Sequence, residues 1–189
     1  MQFVKNGPDV PERLLQAHEE GRVVFFCGAG ISYPANLPGF YGLVEKLYEG
    51  LGATPSSVQQ AAIKAGQYDT AISLLERGLP GKREAVRKEI AKILTPDFSA
   101  SNATSTHSAL LTLGCSRDEK YRLVTTNFDR IFEEVIARES LDLSTFQAPL
   151  LPVPKNRWDG LVYLHGLLSE SPSKNNLDSL VVSSGDFGL

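Results

Sequence analysis

The chain alternates between short apolar runs typical of strands and longer stretches with helical composition. Runs enriched in β-branched, aromatic and other apolar residues predict strands at residues 22–27, 121–125, 141–147, 161–165 and 180–183. Helical composition predicts helices at residues 14–20, 42–51, 107–113 and 129–138. Strands that alternate with helices indicate an α/β fold built on a doubly wound parallel sheet.

The first predicted strand and the middle of the chain differ in composition and therefore in predicted secondary structure. Residues 22–27 contain a continuous apolar run, which is typical of a strand buried on both faces of a parallel sheet. Residues 57–94 are rich in Ala, Leu, Glu, Lys and Gln and predict about three short helices without a strand. We therefore expect one domain over residues 1–189, with a helical subdomain inserted at about residues 52–95. No predicted helix closes the last strand, so we also expect a longer protein to continue beyond residue 189.

Length, net charge and the distribution of apolar residues indicate the class of protein but no particular activity. A length of 189 residues suffices for one domain with a real core, and a net charge of −3 argues against a dedicated nucleic-acid binder. No apolar run reaches the ~20 residues of a membrane span, and no signal peptide is present at the N-terminus. We expect a cytoplasmic protein that contacts no membrane and whose domain binds no nucleic acid directly.

Candidate metal ligands are scattered along the sequence. The two cysteines, Cys27 and Cys115, form no C-x-x-C pair, and the three histidines, His18, His107 and His165, lie in different predicted elements. We therefore expect no metal site and interpret both cysteines as small buried apolar residues.

A glycine-containing loop follows the first predicted strand. Gly28, Ala29 and Gly30 lead into a helical stretch, an arrangement that cradles a pyrophosphate because the backbone approaches the phosphates closely and its N–H groups face them. Ser32 supplies a nearby hydroxyl. Tyr33 occupies the third glycine position of the dinucleotide-binding fingerprint. A junction that needs glycine for its geometry alone explains the loop equally well, and both interpretations stay open here.

Polar residues follow two further strands, at the edge where ligands bind in open α/β sheets. After the strand at 121–125, Asn127 is a candidate ligand contact or a residue that closes a turn through its own side chain. Asp129 is a candidate ligand contact or the N-cap of the following helix. His165 ends the strand at 161–165 and is the candidate general base, whereas we interpret His107 as a cap or packing residue.

Together these motifs, in this order, resemble the sirtuin superfamily. The matching segments are Gly28-Ala29-Gly30-Ile31-Ser32, Leu37-Pro38-Gly39-Phe40, Thr125-Thr126-Asn127-Phe128-Asp129 and His165-Gly166. The resemblance spans residues 22 to about 187 and implies a Rossmann-like sheet that binds NAD. It implies NAD contacts at residues Gly28, Ala29, Gly30, Ser32, Phe40, Thr126 and Asp129.

Departures from the family pattern bear on the expected activity. Deacylating sirtuins carry four zinc-binding cysteines shortly after the His-Gly pair, and residues 167–174 contain none. Gly39 and Tyr41 replace the Asp and Arg of the family's Asp-Phe-Arg signature. The pattern is similar to sirtuin-like domains of bacterial anti-phage defence proteins, which hydrolyse NAD and are fused to, or assembled with, a sensor module. Residues 181–187 resemble the short strand and turn of those domains.

The resemblance implies an NAD hydrolase that releases nicotinamide and ADP-ribose without a metal. Asn127 would orient the ribose hydroxyls or the attacking water, His165 would accept a proton, and Phe40 would enclose the nicotinamide. Asp129 would contact the ribose or fix the Asn127 loop. The alternatives are an NAD-dependent deacylase or ADP-ribosyltransferase, and a sensor that binds NAD or ADP-ribose without chemistry. The expected assembly is a homo-oligomer or a complex with a sensor domain or subunit.

Overall fold

Four parallel strands form the sheet of this protein. A computed structural model describes residues 1–78, 82–148, 150–151 and 158–187. The strands are β1 (Phe25–Cys27), β2 (Arg122–Thr125), β3 (Thr145–Gln147) and β4 (Gly160–Tyr163), and they lie side by side in the order β1-β2-β4-β3. All three pairings are parallel. The α/β, Rossmann-like fold class predicted from the sequence is confirmed.

Helices make up about half of the described residues outside the sheet. They are α1 (Glu12–Glu19), a 3₁₀ helix (Ala29–Ala35), α2 (Phe40–Gly50), α3 (Ser57–Lys64), α4 (Tyr68–Arg77), α5 (Lys82–Ile93), α6 (Ser105–Gly114), α7 (Ile131–Glu139) and α8 (Lys174–Asp178). Local chemistry explains several boundaries. Gly21 takes the left-handed conformation (φ +63°) just after α1, and a reciprocal capping box between Ser56 and Gln59 starts α3.

One face of the sheet packs against α6 and α7. Side chains alternate between the two faces of a strand, so Leu123 of β2 and Leu161 of β4 point to the same side. They pack there with Leu111 of α6 and Phe132 of α7. This core anchors the sheet and thereby fixes where each strand ends.

The face of β1 that points away from α6 and α7 is exposed to solvent. Val24 is 48 % exposed and Phe26 is 66 % exposed, so the prediction that this first strand is buried on both faces was wrong. The continuous apolar run was sufficient to indicate a strand, but it does not specify whether a second layer covers both of its faces.

A second core lies within a helical unit, which we define as α2, α3, α4, α5 and α8. Residues 57–93 contribute α3, α4 and α5, in the stretch whose composition predicts helices. The predicted strand at 180–183 was wrong: Leu180 and Val182 pack into this helical core, and no strand is assigned there. The segment is apolar because helices cover it rather than because it pairs in the sheet. The boundaries of the inserted subdomain and of the domain stay predictions.

Candidate functional site

A cavity of about 260 Å³ lies between the helical unit and the ends of the strands. Its polar lining comes from Ser32 of the 3₁₀ helix, Asp69 of α4, the segment after β2 (Thr126, Asn127 and Asp129) and His165 after β4. Its apolar lining includes Phe40, Phe128, Val181 and Phe187. Because parallel strands end at one edge, side chains that follow β1, β2 and β4 meet here although they are far apart in sequence.

Three buried side chains form what we call the Asp129 cluster, namely Asp129, Ser32 and Asn127. The Ser32 hydroxyl donates to Asp129 Oδ2 at 2.8 Å, and Asn127 Nδ2 donates to Ser32 Oγ at 3.0 Å. Their exposed fractions are only 5 %, 1 % and 6 %. The bond from Asn127 crosses to another element, which differs from the local turn closure that the sequence also allowed.

The charge of Asp129 is not balanced by a nearby cation. Within the described part of the chain, no Lys, Arg or His side chain forms an ion pair with this carboxylate, and neutral donors supply its hydrogen bonds. Burial raises the pKa of Asp129, while the hydrogen bonds from Ser32, the backbone of Ile131 and Asn127 act in the opposite direction. The cluster therefore holds a desolvated acid beside the cavity.

Asp129 also has a structural role. Its Oδ1 accepts a hydrogen bond from the backbone N–H of Ile131, the first residue of α7, at 3.2 Å. Arg130 occupies the N-cap position of α7, so the prediction that Asp129 is the N-cap was wrong by one residue, although its carboxylate still accepts the first helical N–H. Its other oxygen faces Ser32.

His165 follows β4 and lines the same cavity as the Asp129 cluster. Its ring contacts Phe128 at 6.1 Å and the edge of Phe187 at 5.8 Å between ring centroids. Burial lowers the pKa of His165, so the neutral imidazole, which is the form that accepts a proton, is favoured at neutral pH.

The glycines of the predicted phosphate loop are not required by backbone geometry. Gly28 has an extended conformation (φ −127°, ψ −177°), and Gly30 is not among the residues with positive φ. A Cβ at Gly28 would meet only Thr126 Oγ1 at 3.9 Å, and one at Gly30 would meet nothing within 4 Å. The interpretation of these glycines as a pure turn requirement was therefore wrong. Neither glycine lines the cavity, whereas their neighbour Ala29 does.

Two further predicted contacts lie on the cavity wall. Phe40 is the first residue of α2, and its ring packs edge-on against Tyr68 at 5.7 Å. Thr126 continues the line of β2, with its backbone N–H bonded to the carbonyl of Cys27 at 3.1 Å. Of the predicted site residues, the structure thus brings all except Gly28 and Gly30 to the cavity surface.

Sequence reasoning missed the contribution of the helical unit. Asp69 lies in the first turn of α4, where an acidic residue is ordinary because it complements the helix dipole. Phe187 lies in the segment 181–187 that the resemblance singled out as a strand and turn, but no contact with the cavity was predicted for its side chain. Tertiary contacts bring both residues to the cavity.

His107 lies away from this cavity. It is fully buried in α6, with its ring 4.6 Å from the edge-on ring of Phe132, which agrees with a packing role. Burial lowers the pKa of His107 to about 4. Among the described residues, no group of three or more His, Cys, Asp or Glu side chains is arranged to hold a metal ion.

Comparison with known protein families gives the site its context. Residues 121–188, which include β2, Asn127, Asp129 and His165, match the family of SIR2-like domains. This segment is sirtuin-like.

The chain is also similar to a much longer protein. It is 34 % identical over 189 residues to an uncharacterized protein, y4cA, of Sinorhizobium fredii (strain NBRC 101917 / NGR234). The match covers 96 % of this chain and 15 % of that protein, so the chain spans a small fraction of the length of this curated relative. Throughout the described ranges, the structure has no helix that is both long and apolar enough to cross a membrane.

Proposed function

We propose that this chain is an NAD hydrolase that cleaves the bond between nicotinamide and ribose. The observation that supports this most strongly is that the Asp129 cluster and His165 line one cavity at the ends of the parallel strands. The sirtuin-like assignment supports NAD as the ligand, since the same segment carries both halves of the site.

NAD would enter with its nicotinamide and the adjoining ribose in the cavity. A volume of about 260 Å³ lies just below the range of about 300–1,000 Å³ typical of ligand sites, and it suits part of a dinucleotide. Phe40 would enclose the nicotinamide. The pyrophosphate would lie over the loop at residues 28–30, where the open space at Gly30 allows phosphates to approach the backbone.

The charge of the cavity suits the bond that breaks. Among its described lining residues are two carboxylates, Asp69 and Asp129, and no Lys or Arg. When the carbon–nitrogen bond breaks, its electron pair goes to the nicotinamide nitrogen, which becomes neutral, and positive charge develops on the ribose. A buried carboxylate without a counterion would stabilise that charge in the transition state.

Asn127 and His165 would complete the reaction. Water would attack the ribose carbon that nicotinamide leaves, its oxygen forming the new bond while His165 accepts one of its protons. Asn127, already fixed by Ser32, would orient the ribose hydroxyls or this water. The products are nicotinamide and ADP-ribose, and the residues named here provide all of the steps without a metal.

The biological setting is a further part of the proposal. We infer a cytoplasmic effector of anti-phage defence that works as a homo-oligomer or together with a sensor domain or subunit. Two considerations support a regulated enzyme: the curated relative is far longer than this chain, and unrestrained hydrolysis of NAD would harm the host cell.

The experiment is to incubate the purified protein with NAD and measure free nicotinamide. Wild-type protein should release nicotinamide, and Asn127→Ala and His165→Ala should each lower turnover about 100-fold or more. Asn175→Ala, on exposed α8, and His18→Ala, on α1, are matched controls that should keep full turnover. Binding of NAD without nicotinamide release would support the sensor instead. Release that depends on an acetylated peptide would support the deacylase.

A further inference from the structure

A fully buried arginine links the helical unit to the chain after α8. Arg87 of α5 has an exposed fraction of 0 %. It donates to Glu76 Oε1, to Asp186 Oδ2 and to the carbonyl of Leu180, each at 2.5 Å. Arg83, one turn earlier, donates to Asp186 Oδ1 at 2.7 Å. Both oxygens of Asp186 are therefore bound to guanidinium groups of α5.

Asp186 in turn fixes its own turn, residues 183–186. Its Oδ2 accepts the backbone N–H groups of Val182 at 3.0 Å and Ser183 at 2.8 Å. The backbone N–H of Ser184 donates to the carbonyl of Asp69 at 3.2 Å, which attaches the turn to the start of α4. The turn thus has a conformation set by α4 and α5.

This turn carries the residues that cover His165. Val181 precedes it, and its N–H donates to the carbonyl of His165 at 2.9 Å. Phe187 follows it, and the ring lies at a T-shaped 5.8 Å from the imidazole. Both side chains line the cavity. The ion pairs of Asp186 with α5 are therefore connected to the imidazole of His165 through this turn and the ring of Phe187.

We propose that Asp186 is a positioning residue for His165, acting through Phe187, which it holds against the imidazole. The proposal rests on the proposed function for its catalytic consequence only. Phe128 and Phe187, the aromatic neighbours of the ring, carry no charge. The ionisable groups that share the cavity are Asp69 of α4 and Asp129, and Asp186 itself is bound to Arg87 and Arg83.

The consequence is a measurable change in how His165 titrates. Desolvation lowers the pKa of His165, and Phe187 is part of the surface that excludes water from it. When the turn loosens, water reaches the ring, and its pKa rises towards the ordinary value of about 6.5.

The test is an NMR titration of the three imidazoles in the 189-residue chain. The His165 resonance is assigned by its loss in His165→Ala. In Asp186→Asn we expect the His165 midpoint to move upwards, towards about 6.5. Asp178→Asn is the matched control, because it removes a more exposed carboxylate that also faces Arg83 but does not bind the turn. This control should leave the His165 midpoint unchanged.

Activity provides an independent reading of the same effect. If wild-type protein releases nicotinamide, the acid limb of its kcat/KM profile should move to higher pH in Asp186→Asn by the same amount as the titration. If wild-type protein releases none, the proposed function fails while the titration still decides the positioning role. Should Asp186→Asn fail to fold, Phe187→Leu replaces it, since it uncovers His165 without touching the ion pairs. A folded variant of either kind whose His165 midpoint equals that of wild type overturns the proposal.

Discussion

Two buried carboxylate clusters, one formed by Asp186 and Glu76 and the other around Asp129, differ in how their charges are compensated. Asp186 and Glu76 are surrounded by Arg87 and Arg83, so their charges are compensated. Asp129 is bound by Ser32 and a backbone amide, with no ion-pairing partner among the described residues. The pKa values follow, since that of Asp186 is lowered to about 2 and that of Asp129 is raised.

This contrast distinguishes carboxylates that stabilise the fold from carboxylates that are available for the reaction. Removing one partner of a buried ion pair leaves an uncompensated charge and is strongly destabilising. A buried carboxylate with only neutral donors costs stability in its charged form, so its presence calls for another explanation. We assign the Arg87 network to the fold and to positioning, and the Asp129 cluster to the reaction.

The largest effect on stability is expected for Arg87→Met. The substitution keeps an unbranched apolar stem but leaves Glu76 and Asp186 with Arg83 as their guanidinium partner, so the free energy of unfolding should fall by about 3–5 kcal/mol. Urea denaturation measures this loss. Lys88→Met, at the exposed next position of α5, should change it by less than about 0.5 kcal/mol. A loss below about 1 kcal/mol for Arg87→Met would show that the network does not hold the fold.

As pH falls, the stabilities of Asp186→Asn and Asp129→Asn relative to wild type should change in opposite directions. The pKa of Asp186 is lower in the folded protein than in the unfolded chain, so its contribution is present above the unfolded value of about 3.8 and is lost as pH falls through about 2. Asp186→Asn should therefore be less stable than wild type at pH 5, and the difference should shrink towards pH 2.

Asp129 should behave in the opposite way in the same experiment. Its pKa is raised on folding, so its charge disfavours the folded state at neutral pH and protonation relieves that cost. Asp129→Asn should be at least as stable as wild type at pH 7, with the advantage decreasing in acid. Equal acid responses in the two variants, measured by denaturation at several pH values, would remove the distinction between the clusters.

The smallest expected effect is that of chelation. If a divalent cation neutralised Asp129, the contrast with Asp186 would disappear. The cavity lining includes two carboxylates and one histidine, and no described group is arranged as a metal site. Nicotinamide release should therefore be unchanged after exhaustive treatment with EDTA. Loss of turnover that zinc or magnesium restores would contradict the account.

The sequence predicted the sheet better than it predicted what covers the sheet. Strand and helix periodicities identify elements because burial on one side leaves a regular pattern. They do not identify the partner of a buried face. For that reason the segment at 180–183 was predicted as a strand although helices bury it, and the exposed face of Phe26 was predicted to be buried.

The residues of the site could be predicted from the sequence, but the hydrogen bonds between them could not. The ordered motifs selected Ser32, Asn127, Asp129 and His165, because strand ends of a parallel sheet converge on one edge. They did not show that Ser32 joins Asn127 to Asp129. The burial of Arg87 could not be predicted, because a charged residue in a helix is usually solvated. Its complete burial depends on carboxylates up to about a hundred residues away in sequence.

The most direct test compares fold and activity in one preparation of Asp129→Asn. The substitution keeps the shape of the side chain and removes the uncompensated charge, and its single amide oxygen can accept from either Ser32 or the Ile131 N–H. We predict that the variant unfolds at the same or higher urea concentration than wild type, while nicotinamide release from NAD falls about 100-fold or more. A variant that retains wild-type turnover, or that loses activity only because it unfolds, would contradict the assignment of this carboxylate to the reaction.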